Sequence, residues 1–269
     1  MKFLSATLCA LAIGMTIGSE ITLAQGSNPL DPTVPRSQVL VGPTVGITRN
    51  YHTGGFRTID DPNCPVFEQG SGWGFLVGMT AEFQPSPNWS IIPRICYDTR
   101  PGQFTQNLPD AQVLLPGATQ PVNQTVETSS DITYSLLTAE VLYKYEIAKI
   151  TKSLRLSVQA GPVFSYVLGG KNRQVQDLIE PQNARFVNQT QLPEENNGRR
   201  LILFDGDIPE RESIRFSMKA GMAVEVGLFG NAWIMCPGVF YDYGLTQVTK
   251  AENWNLNSIL FQVDFRRAF

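Results

Sequence analysis

Histidine is all but missing from this chain: His52 is the single one in 269 residues. Catalysis by a histidine-assisted nucleophile therefore has almost nothing to be built from. Cysteine is scarce too, with 4 in all, and Cys9 falls in the first apolar run. The three that remain, Cys64, Cys96 and Cys236, form neither an exported disulfide framework nor a zinc motif. Charge of one sign is also lacking. Lys and Arg total 21 against 24 Asp and Glu, a net charge of −3, and nothing in that balance points to nucleic acid. Beyond the N-terminal run, no segment is long and apolar enough for a membrane helix. Membrane strands are not excluded by that, because alternation hides their hydrophobicity from an averaged scale.

The N-terminus reads as a secretory signal. Lys2 precedes a mostly apolar run from Phe3 to Gly18, and Thr22-Leu23-Ala24 offers the small residues of a cleavage site before Gln25. The run is short for a bilayer span of about 20 residues. Leu8 before Cys9 is wrong for a lipoprotein site. Residues 1–24 are thus assigned to the signal, 25–35 to a short Pro- and Asn-bearing extension, and 36–269 to one domain.

What is present is alternation. Counting back in twos from Phe269 gives Arg267, Phe265, Val263, Phe261 and Ile259, while the residues between are mostly polar. That is a strand of period two with one apolar face. Seven further segments share the pattern, beginning near Val39, Trp73, Trp89, Leu137, Leu156, Phe216 and Trp233. Their connections alternate in length. Pro85-Ser86-Pro87-Asn88, the stretch around Lys149 to Lys152, and Phe229-Gly230-Asn231 are short; 49–71, 100–130 and 169–211 are long, and 246–253 is intermediate. Outward-facing aromatics gather at two heights. Phe83, Trp89, Tyr143, Tyr145, Trp233, Phe265 and Phe269 mark one, and Tyr51, Trp73, Tyr97, Phe164, Tyr166, Phe216, Tyr241 and Tyr243 the other. Two aromatic girdles flanking an aliphatic band predict an all-β fold, an eight-stranded antiparallel up-and-down transmembrane barrel with short periplasmic turns and long extracellular loops. The rival is a soluble calycin-like barrel or sandwich. Pro43, Pro93, Pro162 and Pro237 lie in mid-strand, where each removes a ladder hydrogen bond, so bulges or local breaks are expected there.

The other parity points inward and carries Glu82, Arg94, Asp98, Glu140, Lys144, Arg155, Arg215, Lys219, Glu225, Asp242, Asp264 and Arg266. Six are acidic and six basic. Buried charges must be paired or hydrated, so a balanced set predicts an ion-pair network that fills the lumen, with a narrow pore or small-molecule site as the alternative. Cys96 and Cys236 also point inward, from opposite walls; they read as small core residues, with a Cys64–Cys96 bond left open. His52 is expected in solvent where strand one enters its loop. Asp60-Asp61 with Asn63 is a weak cation candidate whose spacing is not that of an EF-hand.

The element Ala160-Gly161-Pro162, following a strand with alternating Glu140, Leu142 and Lys144, resembles the PorT-like outer-membrane β-barrel family, together with the signal, the eight alternating strands and the terminal Phe. The resemblance implies a location in the bacterial outer membrane and a barrel fold, and no single activity. Phe265 and Phe269 then resemble the C-terminal insertion signal of such barrels. The expected protein is a monomer without catalytic residues, cofactor or metal, whose role is structural, surface-interacting or accessory to export. Its expected contacts are outer-membrane lipid, the barrel-insertion machinery during biogenesis and an envelope protein partner. A small pore and a lipid-modifying outer-membrane enzyme are the rival classes.

Overall fold

The computed structural model describes residues 39–56, 66–86, 88–107, 111–113, 122–151, 153–182, 184–186, 192–228, 233–250 and 253–268. The signal 1–24, the extension 25–35, Asp60, Asp61, Asn63, Cys64 and Phe269 lie outside them. In chain order the strands are β1 (Val39–Phe56), β2 (Phe67–Phe83), β3 (Trp89–Thr99), β4 (Gly102–Asn107), β5 (Ala111–Val113), β6 (Val122–Thr151), β7 (Leu154–Glu180), β8 (Glu194–Glu195), β9 (Arg200–Asp207), β10 (Ile214–Leu228), β11 (Trp233–Gly244) and β12 (Asn253–Ala268). Eight of these, β1, β2, β3, β6, β7, β10, β11 and β12, pair antiparallel with their neighbours in a closed ring. The ring shuts where β1 meets β12, with Leu40 opposite Ala268 and Gly55 opposite Asn253. Closure leaves no ring strand with an unpaired edge, which a strand in lipid cannot tolerate.

The outward positions form the expected surface. Val45, Ile47, Val77, Met79, Ile95, Val141, Met222 and Val239 are exposed aliphatics around the middle of the wall. Trp73, Tyr166, Phe216 and Tyr243 are exposed toward one end, and Phe83, Trp89, Tyr143 and Tyr145 toward the other. A continuous apolar band of this extent, bounded by aromatics, is a surface for lipid rather than water.

The four prolines behave alike. Each keeps its pairing with one neighbour and drops two rungs with the other, and none shifts the register. Pro43 stays opposite Met79 of β2, while β1–β12 pairing is interrupted between Val41↔Arg267 and Thr44↔Asp264. Pro93, Pro162 and Pro237 interrupt β2–β3, β6–β7 and β10–β11 in the same way. The breaks expected from the missing N–H therefore occur, and bulges at the prolines do not. Glycine completes the gap at two of them. A Cβ on Gly42 would lie 1.7 Å from the Phe265 carbonyl oxygen, and one on Gly161 2.1 Å from that of Val141. These are the carbonyls facing the two prolines. Each sits close over the preceding Cα, where only glycine leaves room.

The long connections depart from expectation. Much of 100–130 and 169–211 is strand, not loop: β6 begins at Val122, β7 runs to Glu180, and β4, β5, β8 and β9 add to them. Thr125 is already paired with Glu180, and β9 pairs with β7 along Lys171 to Asp177. The reason is visible on β6. Its outward face is apolar at Leu137, Ala139, Val141, Tyr143 and Tyr145, then polar at Ser135, Thr133, Asp131, Ser129 and Glu127. Its inward face does the reverse at Leu136, Tyr134 and Ile132, all buried. The strand continues while its surroundings change from lipid to water, so the period-two signal inverts its phase.

Candidate functional site

All twelve inward charges lie inside the ring, none more than 6% exposed. Eleven join two networks. The larger binds eight of them, four acids and four bases, toward the periplasmic half. Arg94 on β3 reaches Asp264 of β12 at 2.8 Å and Glu140 of β6 at 3.3 Å, and donates to Gln159 of β7 at 3.0 Å. Lys219 on β10 holds Glu140 at 2.7 Å and Gln262 at 2.8 Å. Both cations also lie over the Phe240 ring, Arg94 at 5.5 Å and Lys219 at 5.1 Å. Below them Arg266 bridges Asp264, Glu82 and Glu225, and Lys144 bridges Glu82 and Glu225. Ser90 and Thr44 donate to Glu82 and Asp264 at 2.6 and 2.7 Å.

The smaller network lies nearer the outer end. Arg215 donates to Asp242 at 3.0 Å and to the Leu256 carbonyl at 2.9 Å. Asp98 and Asp242 are joined by Arg100, which sits 2.6 Å from the first and 3.0 Å from the second and also contacts Ser258. Arg155 stands apart, 2.9 Å from Glu146 at the periplasmic rim.

Arg100 falls in the stretch 100–130 that the sequence reads as a connection, yet it continues the inward parity of Arg94, Cys96 and Asp98. His52, expected in solvent, is 1% exposed. Its Nδ1 accepts the indole N–H of Trp254 at 3.1 Å, and its Nε2 faces the Pro101 carbonyl at 3.3 Å. Indole nitrogen only donates, so Nδ1 carries no proton; the ring is neutral, with its hydrogen on Nε2. His52 belongs to an apolar cap over the charge networks, with Phe67, Phe104, Tyr134, Leu136, Val167 and Trp254. Extending the inward parity of β1 to 52 and of β12 to 254 would have found both residues. Cys96 and Cys236 are buried and free; Cys64, the partner considered for Cys96, lies outside the described residues.

Taken together, charges fill the barrel from the periplasmic rim to the level of Asp242, and apolar rings stop it above. Inward side chains at every level, from Glu82 and Leu142 to Gln262, Ser258 and Leu256, are at or near 0% exposed.

Residues 23–250 match the family described as outer membrane protein β-barrel domain. The chain belongs to that family. This outer-membrane barrel is therefore a protein of the bacterial outer membrane, which it crosses with strands; among the described residues no helix is long and apolar enough to cross. No curated protein matches the chain. Among solved structures, Neisserial surface protein A is 11% identical, with 86% of this chain and 97% of that one covered and a TM-score of 0.39. OprG from Pseudomonas aeruginosa is 9% identical, covering 87% and 96%, with a TM-score of 0.41. The outer membrane protease OmpT from Escherichia coli is 7% identical, covering 89% and 100%, with a TM-score of 0.29.

Proposed function

We propose that this is a closed, monomeric, PorT-like barrel without enzymatic activity, which presents an extended sheet outside the cell to an envelope or surface protein. The observation that carries the reading is the reach of β6 and β7. From Leu136 to Val126 the strand runs on for roughly 33 Å beyond the lipid-facing segment, at about 3.3 Å per residue. β4 and β5 pair with β6, β9 pairs with β7, and β8 pairs with β9. Arg200 holds Asp177 through two hydrogen bonds, at 2.7 and 2.9 Å, and Val126, Leu178 and Ala184 give the tip its own small core. A barrel needs no such structure to span a membrane.

Two further observations support the reading. The filled lumen weighs against conduction, and His52 has both ring nitrogens engaged, which weighs against its use as a catalytic base. Phe265 and Phe269 are the residues proposed to present the chain to the insertion machinery.

Photo-crosslinking from position 133, on the outward face of β6, tests the role. The expected outcome is a discrete crosslinked protein in cells, absent when the same probe is placed instead at the lipid-facing position 141 of β6. No discrete crosslink from 133, the same crosslink from 141, or steady conductance of the intact protein in planar bilayers would overturn the reading.

A further inference from the structure

The outward wall of β12, β1 and β2 changes character at the outer girdle. Three registered rows cross it. In the lowest, Arg49 lies between Ile259 and Trp73; next, Tyr51 lies between Asn257 and Ser71; above that, Thr53 lies between Asn255 and Gln69. Lipid-facing residues thus give way, within two rows, to amides and hydroxyls.

Arg49 is the one cation in these rows, and it is held in place. Its guanidinium lies 5.2 Å above the Trp73 ring, and its Nη2 donates to Ser71 Oγ at 2.7 Å. Among the described residues no carboxylate pairs with it. A guanidinium has five N–H donors, so most of its capacity faces outward, at the depth of the aromatic girdle where lipid headgroups lie. Beside it is a groove. β4 meets β2 through a single pair, Ser71 with Gln103, and the gap is lined by Tyr51, Thr53, Gln69, Gln103 and Thr105.

We propose that this face binds the phosphorylated sugar headgroup of an outer-leaflet glycolipid. Arg49 takes the phosphate, since a guanidinium matches phosphate oxygens in a two-point fork. The amide and hydroxyl rows, with the Tyr51 ring, take the sugar, whose hydroxyls both donate and accept as side-chain amides do. The depth of the site selects the source of the phosphate. Arg49 shares a row with Trp73 in the girdle, so the ligand is a lipid whose polar part rises past Tyr51 to Thr53. A phospholipid without sugars would leave those rows unused. The inference needs only the barrel in its membrane and is independent of the role proposed for β6 and β7.

The test uses the full-length protein in detergent micelles, titrated with lipid A bearing core sugars and its phosphates, the same glycolipid dephosphorylated, phosphatidylglycerol, and inorganic phosphate, with binding read by native mass spectrometry. The expected result is preference for the phosphorylated glycolipid over each of the others. Arg49→Gln should weaken it by about tenfold to a hundredfold, the worth of a hydrogen bond to a charged group, and Arg49→Lys by less. Gln69→Leu with Asn255→Leu should weaken the glycolipid and leave phosphatidylglycerol unchanged. Equal binding of the phosphorylated and dephosphorylated forms would overturn the proposal, as would equal binding of phosphatidylglycerol, competition by inorganic phosphate, or an unchanged Arg49→Gln. If Arg49→Gln fails to fold, as judged by its heat-modifiable mobility, the wild-type comparison of the four ligands still decides.

Discussion

Removing Arg100 should destabilise the barrel more than removing Arg94, although Arg94 has more partners. The difference follows from what each carboxylate keeps. Without Arg94, Asp264 retains Arg266 and Glu140 retains Lys219. The charge balance is disturbed, yet no acid is left alone, and a loss of about 1.5–3 kcal/mol is expected, the range for lost hydrogen bonds to charged groups. Without Arg100, Asp242 retains Arg215, but Asp98 loses the only cation that holds it among the described residues. Its other oxygen, Oδ1, has no hydrogen-bond donor there either. A buried carboxylate stripped of its partner costs about 3–5 kcal/mol. Arg100→Met should therefore lower the unfolding free energy by about that much, and Arg94→Met by clearly less. Adding Asp98→Leu to Arg100→Met should restore most of the loss, because a pair replaced by apolar groups of similar size is often neutral. The assay is urea unfolding in phospholipid vesicles, followed by heat-modifiable mobility on gels and by tryptophan fluorescence. Equal losses for the two single variants, or no recovery in the double variant, would mean that water screens these charges and that the lumen is wet.

Three shorter predictions accompany it. Arg at Val141, Met222 or Val239 should cost about 2–4 kcal/mol, as at a bilayer midplane, and Arg at Tyr145 or Tyr243 about 0–1 kcal/mol; unfolding titrations in vesicles showing no depth dependence would refute the assignment of the lipid face. Gly161→Ala should destabilise by about 1–3 kcal/mol because its Cβ meets backbone rather than a side chain, whereas Gly169→Ala, which meets nothing within 4 Å, should not; the same unfolding assay compares them. Asp at Ile132, buried within the cap, should destabilise by about 2 kcal/mol or more, while Asp at the adjacent Thr133, which is exposed, should stay within about 0.5 kcal/mol; similar unfolding midpoints for the two would contradict the inverted phase above the membrane.

The barrel was legible wherever lipid is the outer solvent. There the apolar parity faces out and the polar parity in, so Val39 to Ile47 or Trp233 to Tyr243 could be assigned strand, face and depth from the sequence. The twelve inward charges followed from the same parity, and their six-to-six balance reflects a lumen where each charge must meet its opposite. Which charge meets which was not legible. Arg94 joins β3 to β6 and β12 across the lumen, and such pairings depend on ring closure and on the diameter that eight strands impose. Above the outer girdle the reading failed for a different reason. Water replaces lipid outside, an apolar cap replaces the ion network inside, and the two faces exchange character while the backbone runs on unchanged. A search for apolar residues on a fixed parity stops at Leu137 and takes the rest of β6 for loop. His52 was misplaced by the same rule, since a polar residue at the end of an apolar strand reads as the start of solvent. Yet the parity that set Thr44, Thr48 and Asn50 inward sets His52 inward as well, beside Trp254. In a membrane barrel, then, the alternation itself marks the strand, and the sign of the alternation marks the solvent; the residue where that sign reverses is where the chain leaves the bilayer.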